Sequence, residues 1–156
     1  MNFDRYMIEI AQAVSANSKC KSRKIGAVLV RDKAIISTGY NGPPRGVSHC
    51  HEQCPRHREG YPSGQGLHLC PATHAEMNAI VQAARSGVST MDAWLYLSAP
   101  FAPCKTCAGA IINAGISRVI MTSTADYDDI AMRLLREANV VVSQIPAKNC
   151  IGLGEK

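Results

Sequence analysis

Two short motifs, each expected at the start of a helix, restrict the possible fold and chemistry of this chain more than any other feature of its sequence. The first is His74 with Glu76 two positions later, and the second is the pair Cys104 and Cys107. One imidazole and two thiolates suit Zn²⁺ and leave the fourth tetrahedral position for water, which is typical of a catalytic site. A carboxylate two residues after the histidine can reach that water without being a ligand. We therefore predict a catalytic zinc held by His74, Cys104 and Cys107, with Glu76 as general acid and base.

The cysteine content favours metal binding over disulfide bonds. The 156 residues include seven cysteines, an odd number, and five histidines, and the amino-terminal residues contain no apolar signal segment. Disulfide frameworks are typical of shorter secreted chains, whereas clustered cysteine and histidine in a cytosolic protein indicate a metal site. We therefore expect a cytoplasmic protein, or one in the host cytoplasm if the source is viral.

Composition and charge argue against several classes of protein. With 46% hydrophobic and 19% charged residues, the chain is expected to form one globular domain over residues 1–156. Its apolar runs are far shorter than the ~20 residues that a membrane helix requires, so no membrane partner is expected. The net charge of +5 suits a small anionic substrate and does not by itself indicate a stable nucleic-acid partner.

The spacing of apolar residues predicts an α/β fold. Helical periodicity and stop signals predict helices over residues 4–17, 74–86, 104–114 and 127–138. Short runs rich in valine and isoleucine predict strands over residues 25–30, 34–40, 93–97, 118–122 and 140–143. The first two strands should form a hairpin with a turn at Lys33, and the later strands alternate with helices, which indicates parallel pairs. Residues 144–156 are expected to form a tail.

An insert at about residues 42–71 interrupts this pattern. It is rich in glycine and proline, contains Cys50, Cys54 and Cys70 with four histidines, and has few apolar residues with which to pack. A structureless segment of this length is uncommon inside a compact domain. We therefore expect a bound metal ion to organise it.

Motifs spread over most of the chain carry a resemblance to a known family. They are Gly26-Ala27-Val28, Gly39-Tyr40-Asn41-Gly42, residues 74–80, Pro103 with Cys104 and Cys107, and residues 113–116. With these motifs the sequence resembles the zinc-dependent cytidine/deoxycytidylate deaminase superfamily. The Gly39–Gly42 segment, followed closely by Pro43 and Gly46, resembles the deoxycytidylate (dCMP) deaminases within it.

The resemblance implies a fold, an activity and its regulation. The fold would be the three-layer cytidine-deaminase-like arrangement, an α/β architecture with a mixed sheet of about five strands flanked by helices. The activity would be zinc-dependent hydrolysis of dCMP to dUMP and ammonia, which supplies dUMP for thymidylate synthesis. The protein would be a homo-oligomer, with a hexamer favoured, activated by dCTP and inhibited by dTTP. Arg45 and Arg85 would contact the regulatory nucleotide, to which magnesium could be bound.

The resemblance also implies a set of substrate contacts. Asn41 would hold the sugar or base and Ala75 would contact the base through its backbone, although Asn-Gly is also a common turn pair. Ser22 and Lys24 would bind the monophosphate, and the alternative is a solvated basic turn. Tyr127 would close the pocket, and the alternative is simple packing.

A second, structural zinc is implied by members of the family that have one. Cys20 and Cys50 resemble positions used there, and Cys54 and Cys70 are the first choices for the other two ligands. His57 and His68 are the alternatives for those two positions. The competing interpretation is a set of buried free thiols, because cysteine is among the most buried residue types.

Two other functions remain open at this stage. One is deamination of another cytosine or adenine substrate, such as a nucleoside or a base in a polynucleotide. A polynucleotide requires aromatic stacking platforms, and the chain has only eight phenylalanine, tyrosine and tryptophan residues. The other is a zinc-stabilised binding module without catalysis. Glu76 argues against it, because a structural site fills all four metal positions and needs no proton shuttle.

Overall fold

A mixed five-stranded sheet forms the centre of the molecule. The computed structural model describes residues 2–50, 54–123 and 128–145. The helices and strands, in chain order, are α1 (Phe3–Ser15), β1 (Gly26–Arg31), β2 (Ala34–Tyr40), α2 (Pro55–Arg58), a 3₁₀ turn (Leu67–Leu69), α3 (Ala75–Arg85), β3 (Trp94–Leu97), α4 (Lys105–Asn113), β4 (Arg118–Met121), α5 (Asp129–Glu137) and β5 (Val141–Gln144). Among the described residues, no helix is both long enough and apolar enough to cross a bilayer.

The strand order is β2-β1-β3-β4-β5, and the pairing follows the sequence prediction. β1 is antiparallel to both β2 and β3, and β3, β4 and β5 are mutually parallel neighbours. Asp32 and Lys33 both adopt positive φ in the turn that joins β1 to β2. Two successive residues with positive φ give the turn twist that matches a two-stranded hairpin, so the predicted turn at Lys33 is confirmed.

Each face of the sheet packs against helices, which gives three layers. On one face, Met7 and Ile8 of α1 pack with Val28, Tyr96 and Ile120. The opposite face carries α3, α4 and α5. Its core residues are Ala27, Leu29, Leu95, Leu97 and Val119 of the strands, with Ala79, Ile111 and Leu135 of the helices. Alternate residues of β1, β3 and β4 therefore face opposite helical layers, as the two-residue period of a strand requires.

The observed ends of two elements correct the sequence prediction. The last helix begins at Asp129, because the Asp128 carboxylate accepts hydrogen bonds from Ile130 N at 3.0 Å and Ala131 N at 3.2 Å. The tail predicted from residue 144 is wrong at its start. Gln144 belongs to β5, and Ile145 N donates to the Met121 carbonyl at 2.9 Å.

The insert contains more regular structure than its composition predicts. The short helix α2 and the 3₁₀ turn lie within it, and paired hydrogen bonds between Gly42 and Thr73 close its base. Arg56 of α2 is only 5% exposed. Its Nε donates to the Gln65 carbonyl at 2.6 Å and its Nη2 to the Pro62 carbonyl at 2.9 Å. A buried arginine therefore cross-links the insert, so metal binding is not the only means of organising it.

Candidate active site and metal centre

The starts of two helices bring the three predicted zinc ligands together. His74 is the N-cap residue of α3, Cys104 is the N-cap residue of α4, and Cys107 lies in the first turn of α4. His74 Nδ1 is 3.5 Å from Cys104 Sγ and 3.4 Å from Cys107 Sγ. Tetrahedral Zn²⁺ with its usual bond lengths to nitrogen and sulfur separates such ligand atoms by about 3.5–3.8 Å. The chemistry and the spacing of the three donors therefore fit one zinc ion.

Hydrogen bonds within the cluster shift the pKa values of its three groups in different directions. The hydrogen bond from Cys107 lowers the pKa of the Cys104 thiol to about 4, and the same bond raises the pKa of Cys107. The hydrogen bond with Cys104 raises the pKa of His74. Cys104 therefore has thiolate character, which a hydrogen bond from the backbone N–H of Cys107 in the first turn of α4 also favours.

Glu76 is placed beside this cluster without belonging to it. It lies in the first turn of α3, is 6% exposed, and lines the same pocket as His74 and Cys104. Within the described part of the chain, the potential ligand atoms that lie within 4.8 Å of one another belong to His74, Cys104 and Cys107. Burial raises the pKa of Glu76 above its ordinary value. A raised pKa brings the carboxyl closer to neutral pH, where it can both accept and donate a proton.

The pocket contains many of the residues expected to bind substrate. Ser22, Asn41 and Ala75 line it, as do Cys20 and Cys70. Lys24 does not line it, and Tyr127 lies outside the described residues.

The wall residues that were not predicted as binding residues include Arg23, Arg56 and Phe101. The Arg23 guanidinium lies 4.8 Å from the centre of the Phe101 ring. Arg23 is adjacent to the predicted Ser22, so the basic run before β1 carried a signal for it. The sequence of the insert gave no comparable signal for Arg56.

Asn41 joins the end of β2 to the loop that precedes β1. Its Oδ1 accepts from Ile25 N and its Nδ2 donates to the Arg23 carbonyl, both at 2.8 Å. The Ser18 hydroxyl donates to the Asn41 carbonyl at 2.7 Å. The side chain is 92% buried, so these bonds fix the pocket wall at residues 23–25. Asn41 is thus a positioning residue, and its direct contact with substrate stays a prediction.

Comparison with known proteins identifies the family to which the chain belongs. A family model described as the cytidine and deoxycytidylate deaminase zinc-binding region matches residues 1–123. The chain belongs to this deaminase family.

Relatives of the chain include fungal and phage proteins. It is 38% identical over 152 residues to a deoxycytidylate deaminase of Schizosaccharomyces pombe, covering 96% of this chain and 46% of that protein. It is 37% identical over 124 residues to the deoxycytidylate deaminase of Mycobacterium phage D29, covering 76% of this chain and 93% of the phage protein. The chain spans about half the length of the fungal relatives and nearly all of the phage relatives.

Solved structures confirm the predicted fold. A dCMP deaminase from the cyanophage S-TIM5, solved in complex with dCMP and dUMP, superposes with a TM-score of 0.74 at 26% identity. The match covers 93% of this chain and 99% of the cyanophage chain. The mixed five-stranded sheet with helices on its faces is therefore the cytidine-deaminase-like fold.

Four further cysteines of the chain lie near one another. Burial and the nearby thiols of Cys54, Cys70 and Cys20 raise the pKa of the buried Cys50. No three of these four described sulfur atoms lie within 4.8 Å of one another. The cluster is therefore wider than the His74 site, and its role as a second zinc site stays a prediction.

The two alternative histidine ligands have other neighbours. His57 Nε2 lies 3.4 Å from the Ser22 hydroxyl, and the His68 ring packs edge-on against Tyr61. These contacts favour the cysteines over the histidines as the four members of the cluster.

The two predicted regulatory residues share a groove on another part of the molecule. Arg45 and Arg85 line it together with Tyr40, Asn78 and Gln82. Arg45 Nη2 donates to Gln82 Oε1 at 2.5 Å. This groove and the Glu76 pocket have no lining residue in common, so a ligand in one leaves the other accessible.

Proposed function

We propose that this chain catalyses the hydrolytic deamination of dCMP to dUMP and ammonia, and thereby supplies dUMP for thymidylate synthesis. The observation that carries the proposal is the His74, Cys104 and Cys107 cluster with buried Glu76 beside it in one pocket. The deoxycytidylate deaminases that the chain resembles over 90% or more of their own length support dCMP as the substrate.

The chemistry divides between a metal and the chain's own residues. Zinc held by His74, Cys104 and Cys107 supplies Lewis acidity and lowers the pKa of water from 15.7 towards about 7. Glu76 accepts a proton from the attacking water and delivers it to N3 of the cytosine ring. The same carboxylate then takes the proton of the new hydroxyl on C4 and passes it to the amine, so that the C4 carbonyl forms as the C–N bond breaks and ammonia leaves. Proton transfer of this kind contributes typically about 10²–10⁴-fold to the rate.

The remaining pocket residues bind and orient the nucleotide. The Ala75 backbone contacts the base, and Asn41 holds the wall against which the sugar or base lies. Ser22, on that wall, donates its hydroxyl to the 5′-phosphate. Lys24 adds a positive charge near the phosphate, and Tyr127 closes the pocket.

A second zinc and regulation by nucleotides complete the proposal. Cys20, Cys50, Cys54 and Cys70 bind a structural zinc, which the mutual proximity of their thiols supports. Arg45 and Arg85 bind dCTP as activator or dTTP as inhibitor, with magnesium on the triphosphate. Their shared groove supports this role. The protein acts in the cytoplasm as a homo-oligomer, with a hexamer favoured.

Ammonia release from a panel of substrates tests the proposal. The zinc-loaded protein is assayed with dCMP, deoxycytidine, cytidine, dCTP and single-stranded oligonucleotides, each with and without added dCTP or dTTP. We expect the highest kcat/KM with dCMP. A higher kcat/KM with a nucleoside or an oligonucleotide would identify that compound, and not dCMP, as the substrate. No ammonia release from any of these compounds would favour a zinc-binding module without catalysis.

A further inference from the structure

A buried arginine on the pocket wall has no role in the chemistry described above. Arg56 is 5% exposed and lines the pocket that also contains Glu76 and His74. It belongs to α2, four residues long, which the insert places against the pocket. Arginine is almost never this buried unless its charge is paired, so its partner needs to be identified.

The described residues supply only part of the hydrogen bonding and charge pairing that a buried guanidinium requires. Nε and Nη2 donate to the carbonyls of Gln65 and Pro62, and Nη1 makes no hydrogen bond to a described residue. None of the described carboxylates forms an ion pair with Arg56. No buried side-chain nitrogen or oxygen lacks a partner in the described part of the chain, so Nη1 retains some accessible surface. Because Arg56 lines the pocket, the exposed surface of Nη1 is available to a ligand bound there.

Among the described residues, the acceptors of Arg56 are neutral carbonyls, and a buried positive charge in such surroundings is stabilised by an anion. Guanidinium is well suited to phosphate, because its planar donors match two phosphate oxygens. The position of α2 agrees with this, because His57, the next residue, contacts the hydroxyl of Ser22 on the same wall. Arg23 adds a second guanidinium to that wall.

We propose that Arg56 binds the 5′-phosphate of the substrate and so makes the site selective for the nucleotide over the nucleoside. This inference rests on the proposed function and deepens it. The insert thereby becomes part of the active site, because it brings a phosphate-binding residue to a pocket whose metal ligands come from other elements.

The test compares substrates with and without the phosphate. Arg56→Gln removes the charge and keeps a donor for the carbonyls, and Arg58→Gln, at an exposed arginine on the same helix, is the matched control. We expect Arg56→Gln to raise KM for dCMP by about 10- to 100-fold, the range for one lost charge-assisted contact. The kcat/KM for deoxycytidine should stay within about twofold of wild type, and Arg58→Gln should match wild type on both substrates.

Equal losses on dCMP and deoxycytidine would overturn the inference and leave Arg56 with a structural role only. An unchanged KM for dCMP would overturn it as well. If Arg56→Gln does not fold, Arg56→Lys decides. If Arg56 binds phosphate, the charge that lysine retains should preserve part of the preference for dCMP. If its role is only structural, the substitution should lower kcat/KM for dCMP and deoxycytidine alike.

A binding measurement separates this inference from the proposed function. Calorimetry of dUMP and deoxyuridine on wild type and Arg56→Gln requires no turnover. If wild type fails to deaminate dCMP, the proposed function fails, and selective loss of dUMP binding by the variant still supports Arg56 as a phosphate-binding residue. Equal dUMP binding by both proteins overturns it.

Discussion

Gly39 of β2 lies directly against the first turn of α3: a Cβ placed on Gly39 would be 2.4 Å from the carbonyl oxygen of Ala75. It would also be 2.3 Å from the amide nitrogen of Ala79. Both contacts are with backbone, which cannot rotate away as a side chain can. Because Ala75 separates His74 from Glu76, the absence of a side chain at Gly39 sets the distance between the sheet and the turn that contains these two residues.

Gly39→Ala should therefore damage both stability and catalysis. Overpacking of this kind costs about 1–3 kcal/mol of the free energy of unfolding, and α3 must shift to relieve it. Gly109→Ala is the control, because a Cβ there meets no heavy atom within 4 Å and alanine favours a helix. Urea unfolding and dCMP turnover check both variants. A Gly39→Ala protein as stable and active as wild type would contradict the packing described.

Glu76→Gln should abolish turnover while the metal stays bound. Glutamine keeps the size of the side chain but cannot shuttle a proton, so kcat should fall by at least about 10²-fold. Metal analysis should find the zinc of the His74 site retained, because Glu76 lies outside the ligand group. His74→Ala and Cys104→Ala should instead lose both the metal and the activity. Loss of that zinc in Glu76→Gln would make Glu76 a ligand and refute its assigned role.

We predict a loss of stability in alkaline solution that depends on Tyr96. Its side chain is fully buried, and its hydroxyl donates to Asp4 Oδ1 at 2.7 Å. Burial and this hydrogen bond to Asp4 raise the pKa of Tyr96 above its unfolded value of 10.0, while nearby Arg118 opposes the shift. The neutral phenol is favoured in the folded state, so its contribution is complete below pH 10 and is lost as the pH rises above it.

Urea unfolding at pH 9 and pH 11 tests this dependence. Tyr96→Phe should lose less stability between the two values than wild type does, because it has no phenol to ionise. Tyr6→Phe, at a tyrosine that is 49% exposed, is the control. Identical losses in wild type and Tyr96→Phe would show that Tyr96 does not cause the alkaline destabilisation.

Metal content tests the cysteine cluster. We expect two zinc ions per chain in wild type and one in Cys50→Ser, because Cys50 is the buried thiol to which the other three are close. A structural zinc can contribute on the order of 10 kcal/mol to folding, so the variant should also unfold at lower urea concentration. One zinc ion per wild-type chain, in protein purified without chelator, would leave the four residues as free thiols.

Short-range signals made most of the fold predictable from sequence. The hairpin turn at Lys33 and the alternating strands and helices depend on spacing along the chain, and the structure has both. The metal ligands predicted from the two motifs are brought together as well, with their ligand atoms within 4.8 Å of one another. The end of β5 was harder to predict, because Gln144 and Ile145 are held by pairing with β4. That pairing is a long-range contact that no local pattern reveals.

The pocket wall shows the same limit more clearly. A sequence of arginine, glycine and proline indicates a solvated loop, yet Arg56 is buried because two carbonyls of the folded insert accept its hydrogen bonds. Asn41 was predicted at the site, but its amide binds backbone groups that come together only when β1 and β2 pair. The sequence motifs indicated where the pocket lies, but the hydrogen bonds that each wall residue makes depend on the folded structure.

Conversion of dCMP to dUMP by zinc-loaded protein tests the central claim most directly. Chromatography should show dUMP and ammonia formed in equal amounts, with the rate rising in proportion to the zinc bound at His74, Cys104 and Cys107. Glu76→Gln protein with the same zinc content should form neither. Absence of dUMP from fully loaded wild-type protein, or equal rates in wild type and Glu76→Gln, would contradict the account.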